Sequence, residues 1–204
     1  LKLGGKPMLE HIIEKAKSEG FCNFLISVFY LDDQIRQYFG DGSRWDISIK
    51  YLTEPEPLGT AGAMTLIDPV PLHDIVVTNG DIISNIPLRK ILSYHQLNQA
   101  MATMAVHYHE WENPYGVVET NGVNILAVSE KPVQKNKINA GVYVISSRAI
   151  EKLGKGNALN MTDLFSSMIS QSEKVVAYPL HEQWLDVGRN EDLKQAEKLA
   201  YKAI

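Results

Sequence analysis

Short apolar runs alternate with longer stretches of helical periodicity over the first hundred residues, and this alternation constrains the fold more than any other feature. Met8, Leu9, Ile12, Ile13 and Ala16 recur at helical spacing behind Lys6-Pro7, which puts proline at the first helical position, and Gly20 ends the stretch. Phe24-Leu-Ile-Ser-Val-Phe29 is almost continuously apolar, as a strand covered on both faces would be. A helix over 31–39, stopped by Gly40-Asp41-Gly42, precedes a strand over 47–52. A helix over 60–67, a strand over 75–78 and a helix over 87–98 complete this half. The pattern predicts an α/β fold, a three-layer sandwich around a mostly parallel, Rossmann-like central sheet with right-handed crossovers.

Beyond residue 100 the pattern changes. Strand-like runs over 101–109, 116–120, 123–128 and 141–145 follow one another with little helix between them. Asn121-Gly122 is a strong hairpin signal, and helices return over 160–170 and 191–203. The expected organisation is one domain over 1–204, with a nucleotide-type half at 1–100 and a smaller antiparallel half at 101–204 sharing one sheet.

Composition excludes several classes. The 204 residues are 45% hydrophobic and 22% charged, ordinary for a soluble globular chain. A net charge of -4 with scattered Lys and Arg gives no electrostatic case for nucleic acid or an anionic membrane. The lone Cys22 cannot close an internal disulfide, which suits a reducing cytoplasm, and it reads as a small core residue. No apolar run nears the roughly 18 residues of a membrane span.

Two segments carry chemistry. Glu54-Pro-Glu-Pro-Leu-Gly-Thr-Ala-Gly-Ala63 reads as a loop opening a helix, where Gly59 and Gly62 let a ligand approach the backbone and free N–H groups suit a polar or anionic group. Val76-Val-Thr-Asn-Gly-Asp81 reads as a buried strand ending in a carboxylate, at the strand end where open α/β sheets bind ligands. Taken alone, each is also compatible with an ordinary helix N-terminus and an Asn-Gly turn. His107 and His109 share a strand face but have no third ligand at suitable spacing, so no zinc site is expected. Trp45, Trp111 and Trp184 read as packing residues, with Trp184 also placed to position Asp186.

Together these segments resemble the sugar-1-phosphate nucleotidyltransferases, and in look the bacterial guanylyltransferases among them. The loop from Glu54 matches the family's E/Q-x-x-P-x-G-T-A base-binding loop, which implies Glu54 on the nucleobase edge and Pro57, Gly59 and Thr60 shaping the wall. Asn79-Gly80-Asp81 matches the metal-binding turn, and Trp184-Leu-Asp-Val-Gly188 matches W-x-D-x-G. By that resemblance Asp81 and Asp186 hold Mg2+, an ion that takes one or two carboxylates plus substrate phosphates. Without the flanking motif, Asp186 would read as a surface carboxylate or a charge at a helix N-terminus.

On the sugar side, Gly116 in Tyr115-Gly-Val117, Glu130-Lys131-Pro132 and Asn139 in Asn139-Ala-Gly141 match segments that meet the sugar and its phosphate. Singly each is weak; five motifs in the family's order are strong. The implied reaction moves a nucleotidyl group from a nucleoside triphosphate to a sugar 1-phosphate, with Lys131 on the phosphate. Glu54 only accepts hydrogen bonds, which suits the adjacent donors of guanine and predicts GTP over pyrimidine nucleotides. A thymidylyl- or uridylyltransferase and a silent nucleotide-sugar-binding regulatory subunit are the alternatives, and a homo-oligomer is compatible with the sequence. The family's G-G-x-G-T-R loop and first central strand are not found among these residues, and Lys6 belongs to a later step. The chain therefore reads as a fragment, expected to turn over little alone, with no room for the β-helix some relatives append.

Overall fold

The computed structural model describes residues 2–187. A small antiparallel ribbon of β1 (Lys2–Leu3) and β2 (Lys6–Pro7) leads into α1 (Met8–Ser18), with Pro7 as its extended N-cap at φ -57° and ψ 142°. Met8, Ile13 and Ala16 are buried on one face of α1. Then come β3 (Asn23–Val28), α2 (Asp32–Phe39) and β4 (Ser48–Thr53), with β3 and β4 pairing in parallel. Ile26, Val28, Phe39, Trp45, Ile47 and Ile49 make one core cluster beneath them.

The apolar run of β3 is covered on one face, not two. Ile26 and Val28 point inward, while Leu25 is 40% and Phe29 51% exposed. Among the described residues β3 pairs with β4 alone, so no described strand lies along its other edge. Cys22 is likewise exposed, because it sits in the loop that enters β3 and its carbonyl accepts from Ser48 N–H at 2.8 Å.

The expected helix over 60–67 is a single turn, α3 (Gly59–Gly62), continued by a 3-10 turn over Ala63–Leu66. After β5 (Ile75–Thr78), β6 (Ile82–Ser84) and α4 (Leu88–Asn98), a long β7 (Ala102–Glu112) runs out to the hairpin of β8 (Val117–Asn121) and β9 (Asn124–Ser129). The chain returns through β10 (Val133–Ile145), then α5 (Ser147–Glu151), α6 (Met161–Ser170), β11 (Val175–Leu180) and β12 (Trp184–Asp186). The helix expected over 191–203 lies outside the described residues, as does Gly188.

The central sheet has the order β11-β7-β10-β5 and is mixed: β11 runs parallel to β7, while β10 runs antiparallel to both β7 and β5. The α/β class holds, but parallel pairing is confined to β3/β4 and β7/β11 among the described ladders. The cause is connectivity, since β10 returns directly from the hairpin at the tip of β7 and must oppose it. One apolar cluster, including Met101, Tyr143, Ile145 and Phe165, fills one face. A second, with Ile82, Ile91, Val142 and Val144, fills the other. The strand β5 from the first half lies in the same sheet as β7, β10 and β11 from the second.

Candidate active site

A break in β10 organises the site. Its register on β7 shifts between Asn139 and Tyr143, so the backbone around Ala140 and Gly141 leaves that ladder. Other groups satisfy it: Gly141 N–H donates to Asn139 Oδ1 at 3.0 Å, and Asn79 N–H donates to the Gly141 carbonyl at 2.9 Å. Gly141 has φ +70°, and a Cβ there would stand 2.9 Å from Ile82 Cγ1 and 3.0 Å from Asn79 Nδ2. Only glycine lets the turn carrying Asn79, Gly80 and Asp81 sit this close to the bulge.

Strand β12 closes the other side. Asp186 is paired with Ile82, and Val187 N–H donates to the Asp81 carbonyl at 2.9 Å. The ladder thus brings the backbone of Asp186 within one residue of Asp81, which precedes its partner Ile82, although 105 positions separate them (186 − 81). Both are exposed. The Asn139 amide Nδ2–H donates to Tyr143 Oη at 2.7 Å, and burial together with the Asp81 charge pushes the Tyr143 hydroxyl pKa up against that hydrogen bond. Gly80 is exposed, and a Cβ on it would meet nothing within 4 Å, so the surface beside Asp81 is open.

The loop from Glu54 is held by its own residues. Glu54 Oε2 accepts from Leu58 N–H at 2.8 Å, and Oε1 accepts from the Ser27 hydroxyl at the end of β3. On the Cβ side of Gly59 and Gly62 stands the chain itself, while Gly59 is exposed on its other side. A Cβ on Gly59 would lie 2.7 Å from Asn160 Oδ1 and 2.8 Å from the Leu159 carbonyl. The supposedly free N–H of Ala61 donates to Leu159 O at 2.9 Å, and Thr60 Oγ1 accepts from Met161 N–H at 2.8 Å. These small residues dock α3 on the segment before α6, leaving Pro57 and the loop's outer edge toward solvent and Glu54 half-buried.

Gly116, Glu130 and Lys131 stand elsewhere, on the arm formed by the outer halves of β7 and β10 and the β8/β9 hairpin. A Cβ on Gly116 would be 3.2 Å from Glu130 Oε2, so these two adjoin. Lys131 is exposed and takes a left-handed φ of 43°, uncommon for a residue other than glycine. The arm is solvated on both faces, and Trp111, expected in packing, is half exposed on it. Lys6 is engaged by Glu14 at 2.7 Å. Among the described residues no cluster of three or more His, Cys, Asp or Glu side chains could hold a metal. No described helix is long and apolar enough to cross a membrane.

The residues that sequence reasoning missed are Ser27, which holds Glu54, and Ala140, whose carbonyl accepts from Trp184 Nε1–H at 2.8 Å. Ser27 belongs to no motif, and Ala140 is the variable position of Asn139-x-Gly141, where a role for the backbone carbonyl leaves no mark on residue type.

A family model described as Nucleotidyl transferase matches residues 1–202. The chain belongs to the nucleotidyl transferase family. It is 29% identical over 204 residues to a mannose-1-phosphate guanyltransferase of Pichia angusta, with 94% of this chain and 55% of the relative covered. It is also 29% identical over 212 residues to a UTP--glucose-1-phosphate uridylyltransferase of Synechocystis, covering 94% and 54%. The chain thus spans about half the length of the curated relatives it matches. A solved structure of a Bacillus anthracis protein assigned as a glucose-1-phosphate thymidylyltransferase superposes with a TM-score of 0.76 at 22% identity, covering 98% of this chain and 85% of that one. This likeness fixes the fold of the nucleotidyl transferase chain.

Proposed function

We propose that the intact protein transfers a nucleotidyl group, from GTP by preference, to a sugar 1-phosphate and releases pyrophosphate. The observation that carries this reading is the ladder that sets Asp186 beside Asp81, next to the Asn139–Gly141 bulge. An oxygen of the sugar phosphate attacks the α-phosphorus in line, forming the new P–O bond as the bond to the β-phosphate oxygen breaks. The attacking phosphate is already ionised at neutral pH, so the residues have charge to hold and little proton to move. Lys131 holds that phosphate as a compact positive charge, Glu130 and Gly116 orient the sugar, and Asn139 borders it. Asn79 and Gly80 border the nucleotide phosphates, and Glu54, with Pro57, Gly59 and Thr60 behind it, meets the base.

Two exposed carboxylates with only oxygen donors fit Mg2+, which completes its shell with phosphate oxygens and water. When bound by Asp81 and Asp186, the ion supplies neutralisation of phosphate charge. The halves 1–100 and 101–204 serve the nucleotide and the sugar phosphate respectively. Relatives named for GTP and for UTP chemistry match at the same 29%, so overall identity does not select the base. The choice of guanine rests on the acceptor-only chemistry of Glu54.

The test is a thermal-shift panel on the full-length protein. A selective ligand at a hundred times its Kd stabilises by about 2.7 kcal/mol. GTP and a GDP-sugar are expected to shift Tm more than UTP, dTTP or ATP. A flat panel overturns the reading, and a shift by UTP alone moves the base assignment to the uridylyl class.

A further inference from the structure

The bulge in β10 and the carboxylate strand β12 are joined by one side chain. Ala140 is fully buried, and its carbonyl accepts from the Trp184 indole N–H at 2.8 Å. A buried carbonyl left without that partner would be costly. On the β12 side, Trp184 is paired with Ser84 in the ladder that also holds Asp186 against Ile82. On the β10 side, Ala140 lies between Asn139 and Gly141, whose carbonyl accepts from Asn79 N–H. The indole is held in turn by the His107 ring, stacked at 5.2 Å between centroids and 26° between planes. His107 Nδ1 is buried with no hydrogen-bond partner among the described residues, so the observed constraint on that ring is packing.

We propose that Trp184 is a positioning residue that makes the sugar-side bulge and the Asp186 strand one rigid unit. The inference rests on the nucleotidyl-transfer reading for its functional consequence, but its structural content stands apart from it. With the indole N–H in place, the Asn79–Asp81 turn, the Asn139–Gly141 bulge and Asp186 share one geometry. Without it, the Ala140 carbonyl must find water, and the bulge and β12 separate into two independently moving pieces. The nucleotide loop at Glu54 is built on β3, β4 and α3 and does not depend on this link.

The test uses full-length protein without divalent cation and compares wild type with Trp184→Phe and His107→Phe. Hydrogen exchange is followed at the Asn79 and Val187 amides, and calorimetry gives separate Kd values for mannose 1-phosphate and GTP. Trp184→Phe keeps an apolar ring and deletes the donor. It is expected to speed exchange at both amides and to weaken mannose 1-phosphate about three- to tenfold, the worth of one net hydrogen bond, with a smaller loss for GTP, whose phosphates border the same turn but whose base is held at Glu54. His107→Phe keeps the stacking face and is expected to match wild type in both measurements. Unchanged protection at Asn79 and Val187 in Trp184→Phe overturns the proposal, as does an equal loss for both ligands. A loss in His107→Phe as large as in Trp184→Phe moves the role to the imidazole and also overturns it. If wild type itself binds no sugar phosphate, the functional reading falls, and the exchange data alone decide whether Trp184 links the two elements.

Discussion

At Glu54 each carboxylate oxygen already accepts one hydrogen bond, from Ser27 and from Leu58 N–H, which leaves one lone pair on each for a base edge. The side chain is thereby fixed in place by the fold before any nucleotide arrives. Glu54→Gln is expected to erode the preference for GTP over UTP and dTTP by about 1–3 kcal/mol, the range for one bidentate base contact. The check is kcat/KM for the three triphosphates at fixed sugar phosphate; an unchanged ranking contradicts base reading by Glu54. Lys131→Ala is expected to raise the sugar-phosphate KM roughly ten- to a hundredfold while the triphosphate KM stays put, for one charged hydrogen bond of about 1.5–3 kcal/mol. Equal weakening of both substrates would mark Lys131 as structural. Glu54 could be singled out from its residue type and its loop, because acceptor chemistry is local. Ser27 could not, because its partner is 27 positions away and hydroxyls on exposed strand faces are common. For a similar reason close approach at Gly59 was visible in the sequence, but not that the Leu159 carbonyl stands on its Cβ side.

Among the elements, the bulge is the most sensitive. Gly141→Ala adds a Cβ at φ +70° within 2.9 Å of Ile82 Cγ1, so both strain and collision act on it. The expected result is a loss of more than about 1 kcal/mol of stability with a larger fall in activity, since the Asn79–Asp81 turn must move. Thermal melts and pyrophosphate release check it, and a wild-type melt contradicts it. The arm carrying Gly116, Glu130 and Lys131 is solvated on both faces, so its amides are expected to exchange fastest among the described strands and to slow when sugar 1-phosphate is added. Exchange indifferent to the sugar phosphate would separate the arm from the site. The inner halves of β7 and β10 were legible, because Ala102–Val106 and Val142–Ile145 are apolar runs made by burial. The outer half of β10 and the last three residues of β7 were not: Lys135, Asn136 and Lys137 are exposed and carry no periodicity. Pro179 and the three-residue length hid β11 and β12.

For the whole molecule, strand direction was the feature least visible in the sequence. Period and length mark a strand, but only the return of the chain from the β8/β9 hairpin makes β10 antiparallel to its neighbours. Below this sheet lies a buried titratable group with consequences for the entire fold. His95 is 1% exposed, with Nδ1 2.8 Å from Thr103 Oγ1 and Nε2 3.8 Å from Asp74 Oδ2, and Arg148 lines the same cleft. Burial holds its pKa below the usual histidine value, only partly offset by the Asp74 charge. The folded state therefore binds fewer protons than the unfolded chain, and stability is expected to fall as pH drops below about 6.5 toward the folded value. His95→Gln should flatten Tm between pH 7.5 and 5.5; an unchanged slope would assign the acid sensitivity elsewhere. The account as a whole depends on Asp81 and Asp186 acting together at the β10 bulge. The direct measurement is pyrophosphate release by full-length protein given GTP and a panel of sugar 1-phosphates, for wild type, Asp81→Asn and Asp186→Asn. Release that requires both substrates and falls at least about 100-fold in each folded variant is predicted, whereas undiminished release in either variant would contradict it.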